Sequence, residues 1–112
     1  MRACIECGTV PARPMRADAD FCCAACKAAF NNRRLSRGAE LYDLYMTARF
    51  DRPLASRLKV WGWLARLASS FRDEDRRERG GRLSWRSPRE VSARKPWIVG
   101  RILDRGTRGR AA

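Results

Sequence analysis

The sequence predicts a small, mainly α-helical protein that relies on a bound metal where a larger chain would use a core. Three observations predict it. Two cysteine pairs stand near the start, Cys4-Ile5-Glu6-Cys7 and the cluster Cys22, Cys23 and Cys26. From Leu41 to Phe71 apolar residues recur at helical spacing, the mark of helices that bury one stripe. After Gly80-Gly81 the chain becomes arginine-rich and poor in aliphatic residues. The expected organisation is a metal module over 1–36, a helical hairpin over 37–79, and a basic, largely flexible arm over 80–112.

Fourteen residues separate Cys7 from Cys22. Two such pairs around a hairpin-length spacer are the usual sequence form of a four-thiolate zinc site, with sulfurs about 2.3 Å from the ion. Gly8 suits the knuckle, which needs a positive φ. Five cysteines compete for four positions. Cys22 and Cys26 are spaced i, i+4 and Cys23 and Cys26 i, i+3, so either pair can share one face of a helical turn. The spacing leaves Cys22 and Cys23 as alternatives.

Disulfides fit less well, because the count is odd and no apolar segment follows Met1-Arg2-Ala3. Reduced cysteines and no targeting signal point to the cytoplasm. No apolar run approaches the length of a transmembrane helix. One structural zinc with four protein thiolates has no open position for water or substrate. The chain contains no histidine, the commonest general base. The expectation is a protein that is not an enzyme.

Phe21-Cys22-x-x-x-Cys26, followed by a basic helix, resembles the treble-clef zinc fingers with a Phe-Cys-Ser-x-x-Cys signature. Small, functionally uncharacterised bacterial zinc-binding proteins are similar, and more distantly the gyrase-inhibiting ones. The resemblance covers about the first half of the chain. It implies a treble-clef-like module with Cys4, Cys7, Cys22 and Cys26 as ligands. Cys23 then stands where the family has a helix-capping serine.

Within 1–21, Pro11 and Pro14 exclude helix, and Val10, Met15 and Phe21 are the expected apolar contacts. Two short strands there fit the loop but show no alternation. A helix begins after Cys23, rich in alanine, with Phe30 on the face of Cys26. Arg37-Gly38 is expected to interrupt it, with Ser36 capping the next segment. Leu41, Leu44, Tyr45 and Ala48 form a stripe that Tyr42 and Phe50 extend. Asp51-Arg52-Pro53 signals a new helix start. That helix is expected from Pro53 to Arg79, antiparallel to its predecessor, with Gly62 permitting close helix contact. Its seam is Leu54, Leu58, Trp61, Leu64, Ala68 and Phe71, widened by Val60, Trp63 and Leu67. Ser87-Pro88-Arg89-Glu90 has the form of a capping box, so a short helix near 88–93 is expected.

The formal charge is +13, of which residues 76–112 carry +9. Such asymmetry suits a partner that is a polyanion. The expected nucleic-acid contacts are Lys27, Arg33, Arg34 and Arg37 on the first helix. Arg82, Arg86, Arg89, Arg94 and Lys95 add to them from the arm, interleaved with Trp85 and Trp97. No base-reading constellation stands out, so little sequence specificity is expected. The stripe over 54–71 is read first as intramolecular core. The competing class is a protein-interaction adaptor that docks a nucleic-acid enzyme through Trp61, Trp63, Leu64 and Leu67. Trp61 and Trp63 among Arg57, Lys59 and Arg66 also fit a membrane-surface helix, and the surplus Cys23 a thiol redox sensor.

Overall fold

A computed structural model describes residues 2–102. Its elements are α1 (Ala24–Phe50), α2 (Arg52–Leu58), α3 (Val60–Arg79) and α4 (Pro88–Arg94), preceded by an irregular loop. A further helical stretch covers 96–102. There is no strand among the described residues. Turns replace the two short strands the loop was expected to allow. The Cys4 N–H donates to the Thr9 carbonyl at 3.0 Å and the Gly8 N–H to the Cys4 carbonyl at 2.8 Å. Gly8 has φ 75°, as the knuckle requires.

α1 and α3 form the antiparallel hairpin. Arg37 of α1 meets Glu74 and Asp75 near the end of α3, and Ala48 of α1 packs against Val60 at the start of α3. The expected break at Arg37-Gly38 is absent: α1 runs 27 residues without interruption. A glycine inside a helix costs about 1 kcal/mol, and the anchoring of Arg37 on both sides of its guanidinium offsets that cost. The 36/37 boundary therefore lies inside one helix that serves both the cysteine cluster and the hairpin.

The expected single helix over 53–79 is divided. Lys59 adopts φ 58°, ψ 49°, ending α2 and starting α3. Asp51 caps α2, accepting from the Leu54 N–H at 3.3 Å. Because the axis changes at Lys59, the seam counted across it does not stay on one face. Ala48, Ala55 and Val60 close a small core with Leu44 and Leu64, while Leu58 and Trp61 remain exposed. Tyr42, Tyr45 and Phe50 also stay exposed, so the stripe they were expected to extend is narrow. A Cβ on Gly62 would meet only the Arg66 side chain, at 3.6 Å, so that glycine permits no close helix contact.

A second cluster sits at the other end. Phe30 is 1% exposed and its ring lies 5.4 Å from that of Phe21, whereas Val10, expected beside it, is exposed. Gly80, in the left-handed region at φ 61°, ends α3. The chain after it does not leave the fold. Ser84 is buried, and Ser87 caps α4 by accepting from the Glu90 N–H at 3.3 Å. The stretch expected to be a flexible arm is thus folded back as far as Arg94. Residues 103–112, expected to be flexible, lie outside the described residues.

Candidate metal centre and basic groove

The knuckle brings Cys4 and Cys7 together, and the first turn of α1 brings Cys22 and Cys26 to meet them. The four sulfurs lie within 4.8 Å of one another. Cys7 and Cys22 are 3.8 Å apart, and Cys22 and Cys26 3.6 Å. A tetrahedral ion with bonds of about 2.3 Å needs sulfurs about 3.8 Å apart. A disulfide needs about 2.05 Å, and all five cysteines are free thiols. The cluster can hold one metal ion. Thr9, through its side chain and then its backbone, holds the Cys7 thiol down to about 6, whereas the hydrogen bond with Cys22 pushes the Cys26 thiol up.

Cys23 lies outside this set, its Sγ 3.8 Å from that of Cys22. It is the N-cap of α1 with an extended backbone and makes no side-chain capping bond. Its carbonyl accepts from the Lys27 N–H at 3.2 Å, so the backbone alone begins the helix there.

Arginines tie the loop to the hairpin. Glu6, inside the knuckle, accepts from Arg33 through both carboxylate oxygens, at 3.0 and 2.6 Å, and also from Arg79. Arg79 donates to the carbonyls of Ile5 and Glu6 at 3.0 and 3.1 Å, and Arg82 to that of Glu6 at 3.2 Å. These bonds satisfy backbone groups that the short cysteine turn leaves unpaired. The Arg33 hydrogen bond comes first among the causes that hold the Glu6 carboxyl below its ordinary range. Asp75, fully buried, accepts from Ser84 and pairs with Arg37 at 3.0 Å each. Asp20 gathers Arg94 at 2.6 and 2.9 Å, Arg86 at 3.0 Å and Arg2 at 3.3 Å.

The nine cations expected to touch nucleic acid therefore divide. Arg33 and Arg37 are held by carboxylates between α1 and α3, and Arg82 by a carbonyl. Arg89 is exposed on α4. The other five, Lys27, Arg34, Arg86, Arg94 and Lys95, line one groove of about 750 Å³ between α1 and the stretch 86–98. Trp97 and Phe21 share that groove, as do Asp18 and Asp20, and Asp20 holds Arg86 and Arg94. Sequence spacing could not have shown that Lys27 and Lys95 face the same cleft.

Compared with protein-family models, curated proteins and solved structures, the chain matches none.

Of the residues expected to dock a partner, Trp61 and Trp63 are 59% and 42% exposed, and Leu64 and Leu67 are half-buried. The first reading of that stripe, as intramolecular core, holds for Val60 and Leu64 and fails for the tryptophans. Sequence reasoning gave no role to Glu6, Asp20 and Asp75. A carboxylate between basic residues carries no signal of burial until the chain that covers it is placed. No helix among the described residues is long and apolar enough to cross a membrane.

Proposed function

We propose that this is a small structural-zinc protein that binds nucleic acid with little sequence specificity. The observation that carries the reading is the basic groove, where Lys27, Arg34 and Lys95 meet the Asp20-paired Arg86 and Arg94 beside an exposed tryptophan. Lys27 and Lys95 form no ion pair among the described residues, so phosphates meet no internal competitor there. Trp97, 64% exposed, offers a flat apolar face of the kind that stacks on bases. Zinc is the ion proposed for the cluster, because four thiolates at tetrahedral spacing suit it. With all four positions filled by protein, its role is to hold the knuckle against α1. The treble-clef assignment, a cytoplasmic location and the absence of catalysis belong to the same reading.

The test is salt dependence. Each phosphate contact contributes a slope of about 0.9 to log affinity against log salt for duplex DNA. Lys27→Gln with Lys95→Gln removes two charges that no described carboxylate holds, so the slope should fall by about 2 with the fold unchanged. Random and genomic sequences should compete equally. An unchanged slope and affinity in the double variant would reject the groove as the binding surface.

One observation favours a second reading, a protein-docking adaptor: Trp61 and Trp63 are exposed at the hairpin tip, far in sequence from the groove. Trp61→Ala weakening a protein complex while nucleic-acid affinity holds would select it.

A further inference from the structure

Beside the basic groove, across Arg34, lies a second cavity of about 500 Å³ between α1, α3 and the turn after α3. Its apolar walls are Leu41, Ala68, Phe71 and Trp85. Arg34, Arg37 and Arg72 also line it, and no carboxylate does. Arg37 is already paired with Glu74 and Asp75. Arg34 has no ion pair among the described residues and lies over the Phe30 ring, 5.3 Å from its centroid. The Nη1 of Arg72 is buried without a hydrogen-bond partner. The cavity is apolar and borders the cationic groove at Arg34.

We infer that this cavity captures one unstacked base of a single-stranded nucleic acid, with the adjoining phosphate on Arg34. The inference rests on the nucleic-acid reading above and adds to it a substrate class, single strands over duplex. A base supplies a flat apolar face for Trp85, which lines the cavity and is half-exposed. Arg34 lines both the cavity and the basic groove. A strand lying in the groove therefore passes the cavity mouth. Bases in a duplex are stacked and paired, and cannot enter.

Two variants test it in the full chain with its metal. Trp85→Ala removes a side chain that is 52% exposed. Gly38→Leu adds bulk on the cavity wall, where a Cβ meets nothing within 4 Å, and it raises helix propensity. The probes are a fluorescein-labelled single strand of twelve nucleotides, the corresponding duplex, and a free mononucleotide. One base–aromatic stack is worth about 1–3 kcal/mol, so each variant should weaken single-strand binding by roughly 5- to 150-fold with the salt slope unchanged. Duplex binding should stay as in the parent chain. Equal effects on strand and duplex, or no effect on either, would overturn base capture while the groove reading stands. A mononucleotide that binds as tightly as the strand would overturn the strand assignment. If the parent chain binds neither polymer at low salt, the nucleic-acid reading itself fails.

Discussion

At the metal end, Phe30 and Cys4 are the large apolar and thiol side chains fully out of water, and around them run Arg33, Arg37, Arg79, Arg86 and Arg94 with their carboxylates. At the far end of the hairpin, Ala48, Ala55 and Val60 close a small aliphatic contact. The first end is polar, closely hydrogen-bonded and centred on a thiol cluster. The second is ordinary packing, with Tyr45 and Trp61 meeting edge to face at 5.9 Å on its surface. The contrast shows how a chain with few buried apolar residues stays folded. Where it cannot bury hydrocarbon, it gathers charged groups that satisfy one another and a site for a metal.

The largest expected effect separates the ends by their dependence on the ion. Apparent binding free energies of structural zinc sites are on the order of 10 kcal/mol, and they are folding free energy. Cys22→Ser should lose the metal, and with it the amide protection of Ile5 and Gly8. Protection at Ala55 and Gly62, at the tip, should change far less. Cys23→Ser should keep one equivalent of metal and parental stability. Metal analysis and hydrogen exchange on both variants measure this, and retention of metal in Cys22→Ser alone would move the ligand to Cys23.

Next comes a comparison of burial by charge with burial by packing. Asp75→Ala removes the buried carboxylate that Arg37 and Ser84 share, and stranding such partners costs about 3 kcal/mol. Val60→Ala at the tip should cost about 2 kcal/mol in transfer and cavity terms. Urea unfolding of the two variants ranks them. A smaller loss for Asp75→Ala would mean that the charged end is held chiefly by its metal.

Acid should loosen the charged end through Asp20. Burial pushes the Asp20 carboxyl up, but Arg94 and then Arg86 outweigh it and leave it lowered. A depressed carboxylate gives its full stabilisation above the unfolded value, about 4. That contribution is lost as pH falls below 4 toward the folded value. α4 should therefore loosen in that window, read as exchange of the Lys95 amide that donates to Val91 at 2.8 Å. Asp20→Asn at pH 7 should reproduce the loosening with the metal retained, which separates it from protonation of the thiolates.

The sequence was most legible where chemistry is local. The cysteine pairs, the Gly8 knuckle, the Asp51 and Ser87 caps and the Gly80 stop each depend on a few adjacent residues. Each appears where the spacing put it. Legibility failed where partners are distant. Arg86 and Arg94 read as a free basic arm because Asp20 lies 66 and 74 positions away. The helical stripe misled for another reason. Its period was counted through Lys59, where no glycine or proline marks the left-handed turn that resets the face.

That residue supplies the smallest effect, and it belongs wholly to the tip. Lys59 is the one non-glycine residue with positive φ among those described. A side chain in the left-handed region costs roughly 1–2 kcal/mol, while glycine adds about 0.5–1 kcal/mol of chain entropy on folding. The difference leaves Lys59→Gly more stable than Lys59→Ala by about 1 kcal/mol. Alanine is the control, since both variants lose the same charge and only glycine relieves the backbone. Thermal unfolding measures the pair. Because the strain lies at the α2–α3 junction, the gain should appear in the Ala55 and Gly62 amides and leave the metal end as it was. If alanine proves equal to glycine, the turn is not strained, and the tip owes its shape to the Asp51 cap and the Val60 contact alone.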